Sequence, residues 1–291
     1  MIDLEAWTEE EQAPQRRAFR QAVRLVLRAI ARSQDLSSVM VMKGGILLAI
    51  RYQSSRFTRD IDFSTPKRFQ DVDLPAFLKT FEAALEPVSA ENEYGLALHL
   101  QSYSVKPPNK PDVMFPTLEL RVAYANRLNR GAIRRMEIGQ ASDVVAVDYS
   151  FNEWASEIEQ APAEEGALSV YPFHDLIAEK LRSVLQQVVR NRDRFQDIYD
   201  LYLLLDDAAA ITAEDRATIL AKLQAAGADR DVPIHRHALR DAEIIARSRR
   251  GYETELPALV QVEIPPFDAA YGTVQAFFEG LPWPVEKQGG R

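Results

Sequence analysis

Asp60 and Asp62, in the run Arg56-Phe57-Thr58-Arg59-Asp60-Ile61-Asp62-Phe63, are the residues of this 291-residue chain whose spacing most directly suggests chemistry. In an extended strand the side-chain period is two, which puts both carboxylates on one face and Ile61 and Phe63 on the other. Two adjacent carboxylates repel each other unless a cation lies between them, so the pair suits Mg²⁺ or Mn²⁺ held by hard oxygen ligands. The plain alternative is a solvated strand end. Upstream, Gly44-Gly45 opens an apolar segment, Ile46-Leu47-Leu48-Ala49-Ile50, that reads as a buried helix. Free amides and the dipole at a helix start favour phosphate, and glycine lets the backbone approach it closely. A plain turn is the competing reading there. A metal pair of this kind needs a third carboxylate from a neighbouring strand. Asp148 fits, because apolar residues alternate through Val145-Ala146-Val147-Asp148-Tyr149-Ser150-Phe151 and leave it on the small-residue face. Glu119, in Leu118-Glu119-Leu120, is its rival.

Two further segments carry charge in unusual positions. Lys180 is four residues from both Leu176 and Val184, which places it on the apolar stripe of a helix. Its stem could simply cover apolar surface, or its ammonium could project into a site as a point charge for a phosphate. In Gln196-Asp197-Ile198-Tyr199-Asp200-Leu201, Asp197 and Asp200 face the same way, with Arg190, Arg192 and Arg194 just before them. Ordinary surface ion pairs are the simpler account of that segment.

The elements that would position these residues fall into two parts. Helical spacing over 11–33 and 73–87 is interleaved with strand-like segments at 39–42, 60–63, 96–100, 117–124 and 144–149. From about Pro172 the pattern is helical, broken by Pro-rich segments at 256–266 and 282–284. The chain therefore reads as α+β over 1–165 and mainly helical over 166–291, with a join near Ala161-Pro162-Ala163-Glu164-Glu165-Gly166, which has linker composition. Composition is that of an ordinary globular protein, at 46% hydrophobic and 27% charged residues. The absence of cysteine excludes disulfides and thiol ligands, and the acidic, polar N-terminal stretch is not expected to act as a signal peptide. No apolar run approaches the roughly 20 residues of a membrane span, so a cytoplasmic location with no membrane partner is expected. A net charge of −8 argues against non-specific coating of nucleic acid, but leaves room for local basic surface. Arg127, Arg130, Arg134 and Arg135, in a turn between two strands, form one such surface, and Arg247, Arg249 and Arg250 a second.

Taken in order, Lys43-Gly44-Gly45, Arg56-x-Thr58-x-Asp60-x-Asp62, the strand ending at Asp148, Ala178-Glu179-Lys180-Leu181 and Gln196-Asp197-Ile198-Tyr199-Asp200-Leu201 resemble the AbiEii/AbiGii toxin family. These are nucleotidyltransferase-like toxins of toxin–antitoxin and abortive-infection systems. The resemblance runs from about Lys43 to Leu205. It implies a minimal nucleotidyltransferase fold, a mixed sheet with flanking helices, followed by a helical C-terminal part that completes the active site. It implies Mg²⁺-dependent transfer of a nucleoside monophosphate from an NTP to an RNA, such as the 3′ end of tRNA, and neutralisation by a cognate antitoxin. Carried over by position, Gly44 and Gly45 would hold phosphate, and Asp60, Asp62 and Asp148 metal. Lys180 would contact the triphosphate and Asp197 would be an additional active-site acid, with Asp200 as its rival for that role. Transfer to a protein hydroxyl, or a binding module of the same fold without catalysis, are the alternatives.

Overall fold

The structure, a computed structural model, describes residues 2–108, 113–153, 157–206 and 209–284. The chain divides into two compact units, 1–53 with 58–171, and 54–57 with 172–291.

The first unit is built on a seven-stranded sheet in the order β3-β4-β5-β2-β1-β7-β6. Its strands are β1 (Val41–Lys43), β2 (Asp60–Ser64), β3 (Leu96–Lys106), β4 (Thr117–Asn126), β5 (Val144–Ser150), β6 (Glu159–Ala163) and β7 (Gly166–Val170). Most neighbours are antiparallel, but β2 and β5 run parallel, as do β1 and β7. The sheet is therefore mixed, as expected. The helices of this unit are α1 (Leu4–Glu9), α2 (Pro14–Arg32), α3 (Gln34–Ser37), α4 (Gly44–Tyr52), α5 (Leu74–Ala90) and α6 (Arg130–Glu137). Alternation decides which sheet face is covered. Val145, Val147 and Tyr149 of β5 and Ile61 and Phe63 of β2 are buried, and Tyr149 stacks on Phe77 of α5 at 5.3 Å between ring centroids. The residues between them, Asp60, Asp62, Ala146 and Asp148, lie half-buried on the opposite face.

Two local expectations change. The supposed linker at 161–166 is the tight connection of a hairpin, since Ala163 pairs with Gly166 and Gly166 takes φ +115° against the backbone of Ala31. Proline, alanine, glutamate and glycine suit such a turn as well as they suit a linker. The arginine-bearing stretch read as a turn contains α6, capped by Asn129, whose side chain accepts from the Ala132 amide. Ala132, Ile133 and Met136 of this helix pack on Ala97, Ala123 and Ala125. Ala123 and Ala125 alternate in phase with Glu119, the register partner of Asp148, so α6 covers the far end of the face that carries the acids.

The second unit is helical, with α7 (Phe173–Arg190), α8 (Phe195–Leu204), α9 (Ala213–Ala228), α10 (Ala242–Arg249) and α11 (Phe267–Glu279). Residues 54–57 are held in it by backbone pairing, with Arg56 bridging Val260 and the Phe57 amide donating to the Leu259 carbonyl at 2.7 Å. Among the described residues no helix is long and apolar enough to cross a membrane.

Candidate active site

Parallel pairing of β2 and β5 sets Asp62 directly opposite Asp148, with Asp60 opposite Ala146. One carboxylate oxygen from each of Asp60, Asp62 and Asp148 lies within 4.8 Å of the others. The structure thus brings together the two acids and the preferred third acid. Thr58 donates from Oγ1 to Asp60 Oδ1 at 2.5 Å, fixing one carboxylate. Burial raises the Asp148 carboxyl above its ordinary pKa, and the nearby charges of Asp60 and Glu119 push the same way, with Lys106 and Lys43 opposing. Three converging carboxylates in a partly desolvated place are what a hard divalent cation requires, and the donor set fits one. Glu119, next in the row, is already committed: it pairs with Lys106 and Arg121 and accepts from Ser104, and the Lys106 contact holds its pKa down.

Gly44 belongs to this geometry more closely than the phosphate reading alone requires. It opens α4 with φ +73°, and a Cβ there would lie 1.9 Å from Asp62 Oδ2. Glycine is therefore demanded twice, by backbone conformation and by the carboxylate that occupies the space. Lys43 is the N-cap residue of α4, and the start of a helix is where backbone amides can meet an anion. Gly45 is the next residue of that turn and is buried.

In the second unit the charged residues are arranged differently. Lys180 of α7 is 8% exposed and donates to Asp197 Oδ1 at 3.0 Å and to Asp200 Oδ2 at 2.7 Å. Arg56 grips Asp200 bidentately, Nε to Oδ1 and the terminal nitrogen to Oδ2, both at 2.8 Å, and also donates to Gln196 at 3.3 Å. Burial would push the Asp200 carboxyl up, but Arg56 and Lys180 outweigh it and hold the pKa down at about 2. Burial likewise works against the charged Lys180, and Asp197 and Asp200 overcome it, raising its pKa. Asp197 keeps one buried oxygen, Oδ2, without a hydrogen-bond partner among the described residues, with Arg194 at 3.8 Å. Arg56 was read only as part of the motif before Asp60, and its hold on Asp200 was missed in the sequence. Its place in that motif, four residues before the first acid, gave no sign of a partner so distant in sequence.

Of the two basic surfaces, that of α10 is largely spent on ion pairs, with Arg247 on Glu243, Arg249 on Asp268 and Arg250 on Asp193. Arg127 donates to the Ser89 carbonyl. Arg130, Arg134 and Arg135 are exposed and make no ion pair among the described residues.

A mixed sheet with paired strand acids and a glycine-opened helix is the arrangement of a nucleotidyltransferase. The family described as nucleotidyl transferase AbiEii toxin, type IV toxin–antitoxin system, matches residues 25–273, and the chain belongs to that family of enzymes. Its fold is similar to that of MenT4, a nucleotidyltransferase toxin from Mycobacterium tuberculosis, with a TM-score of 0.54 and 17% identity over 94% of this chain and 87% of that one. It is also similar to JHP933 from Helicobacter pylori, with a TM-score of 0.53 and 15% identity over 92% of each chain. A structure titled putative nucleotidyltransferase from H. pylori gives 0.52 and 15% over 92% and 95%. No curated protein matches the sequence.

Proposed function

We propose that this enzyme uses Mg²⁺ or Mn²⁺ to transfer a nucleoside monophosphate from an NTP to a hydroxyl of an RNA, with the 3′ end of tRNA as the acceptor class, and that a cognate antitoxin neutralises it. The observation that carries the reading is the convergence of Asp60, Asp62 and Asp148 within 4.8 Å across two strands. Those three carboxylates would hold the metal, which when bound supplies stabilisation of charge on the attacking and leaving oxygens. Asp148 takes the proton of the attacking hydroxyl. The oxygen forms the new bond to the α-phosphorus in line with the departing pyrophosphate, so that a nucleoside monophosphate is added and pyrophosphate and a proton are released. Gly44 and Gly45 present first-turn amides of α4 to the triphosphate. Lys180 is assigned to the triphosphate as a point charge, supported by the paired carboxylates that keep its ammonium charged while buried. Asp197 is assigned as an additional acid, supported by its buried Oδ2, which has no hydrogen-bond partner among the described residues. The exposed arginines of α6, on the acid-bearing face of the sheet, favour an RNA acceptor over a protein hydroxyl.

Incubation of purified protein with each α-labelled NTP, Mg²⁺ and total tRNA tests this. Label appearing in RNA is the expected result. Label in protein would replace RNA by a protein hydroxyl, and NTP consumed without any labelled acceptor would make the enzyme a hydrolase.

A further inference from the structure

The acids sit in a row that continues beyond them. Register pairing places Lys43 of β1 opposite Asp62 of β2, Asp62 opposite Asp148 of β5, and Asp148 opposite Glu119 of β4. Register partners project from the same face of a sheet, so Lys43 stands beside Asp62 on the face that carries the acids. It is a buried lysine, its side chain 10% exposed, and its ammonium is paired with Glu153, 11% exposed. The ammonium also lies 5.8 Å from the centre of the Tyr171 ring, whose hydroxyl accepts from Ser64 at 2.9 Å.

Glu153 comes five residues after Asp148, in the segment that leaves β5. That segment is tied to the segment leaving β2: the Asn152 amide donates to the Lys67 carbonyl and the Glu153 amide to the Thr65 carbonyl, each at 3.0 Å. The Lys43–Glu153 ion pair therefore closes around β2. It joins the end of β1, on one side of Asp62, to the chain that follows Asp148 on the other. Lys43 is also the residue immediately before Gly44, whose backbone is seated against the Asp62 carboxylate.

We propose that Lys43 and Glu153 are positioning residues, a clasp that sets the spacing of Asp62 and Asp148 and the seat of Gly44, so that the three aspartates converge closely enough to bind a divalent cation. This rests on the metal-site reading of the triad. A pair built only for stability would not need to flank the acids. Two apolar side chains of similar volume commonly serve as well as a buried ion pair, whereas removing one partner strands a buried charge. The informative variant is therefore the double replacement Lys43→Met/Glu153→Met, which removes both charges and keeps the volume, with Glu153→Gln as the single-site companion.

Mn²⁺ binding by calorimetry and steady-state transfer kinetics are measured on the full chain for wild type, both variants and Asp62→Ala. The clasp predicts that the double variant keeps a wild-type-like thermal midpoint. It should bind Mn²⁺ roughly tenfold more weakly and lose at least roughly tenfold in kcat, with the KM for NTP little changed, because small displacements of reacting groups are costly. Glu153→Gln should move the same readouts in the same direction. Wild-type Mn²⁺ affinity and kcat in the double variant would reduce the pair to a structural contact. A raised KM for NTP with kcat unchanged would make Lys43 a direct triphosphate contact, and tighter Mn²⁺ binding would make it a competing charge. Either outcome overturns the clasp. If wild type and Asp62→Ala bind Mn²⁺ alike, the metal-site reading itself fails and takes the clasp's role with it. If only Asp62→Ala loses the ion, the metal site stands and the clasp alone is rejected.

Discussion

Two clusters of acids in this chain have opposite electrostatic designs. Asp60, Asp62 and Asp148 are half-buried acids that converge on one another, and burial first, then the charges of Asp60 and Glu119, raises the Asp148 pKa. Asp197 and Asp200 are buried more deeply, yet each meets a cation, and Arg56 with Lys180 holds Asp200 firmly ionised. The first cluster has Lys43 beside Asp62 by register, but that ammonium is shared with Glu153. In the second, Arg56 and Lys180 both meet Asp200, and Lys180 also meets Asp197, one oxygen of which has no hydrogen-bond partner among the described residues. What separates the two is how the charges are met: three acids converge on one another in the first, whereas Asp200 is gripped by two cations in the second.

The contrast predicts opposite responses to substitution. Asp148→Asn should lower kcat for transfer by roughly a thousandfold, equivalent to about 4 kcal/mol of barrier. The thermal midpoint should hold or rise, because a repulsive charge has gone. A midpoint that drops sharply would mean that Asp148 is structural. Asp200→Ala should do the reverse, costing about 3–5 kcal/mol in urea unfolding because Arg56 and Lys180 are left buried with an unbalanced charge. A loss under about 1 kcal/mol would show that the network is not the support described. Gly44→Ala should cost about 1–3 kcal/mol from its positive φ. It should also impair transfer beyond that loss of stability, since the added carbon meets the Asp62 carboxylate.

Acidification gives the smallest and most diagnostic difference. Asp200 has a folded pKa of about 2, below its unfolded value, so its contribution is present above roughly pH 4 and lost as pH falls toward 2. Asp148 is shifted the other way. Its folded pKa lies above the unfolded one, so without metal its proton uptake stabilises the fold as pH falls through the folded value toward the unfolded. Unfolding measured against pH in chelator should therefore show a slight gain before the acid loss. In Asp148→Asn the gain should vanish while the loss remains.

Much of the first cluster was legible in the sequence because a strand's period of two is a local signal. Ile61 with Phe63, and Val145 with Val147 and Tyr149, announce the buried face and so assign Asp60, Asp62 and Asp148 to the other. The parallel pairing of β2 with β5, which makes the acids neighbours, has no local signature, so Asp148 and Glu119 stayed rivals until the register was known. The second cluster was only half legible. Lys180 on an apolar stripe was visible, but its partners Asp197 and Asp200 are one helical turn apart and both reach it. Arg56 and Asp200 are 144 residues apart, and no spacing rule connects them. Helix α6 was read as a turn because it is short and begins with Asn129, Arg130 and Gly131, a cap and a weak helix former.

The central claim is that Asp60, Asp62 and Asp148 form the metal-dependent catalytic centre. It is tested most directly by transfer from α-labelled NTP to RNA in Mg²⁺, comparing wild type with Asp62→Ala at matched folded concentration. Loss of labelled RNA by roughly a thousandfold or more, with the thermal midpoint unchanged, is the predicted result. Labelled RNA at wild-type rates from Asp62→Ala would contradict it.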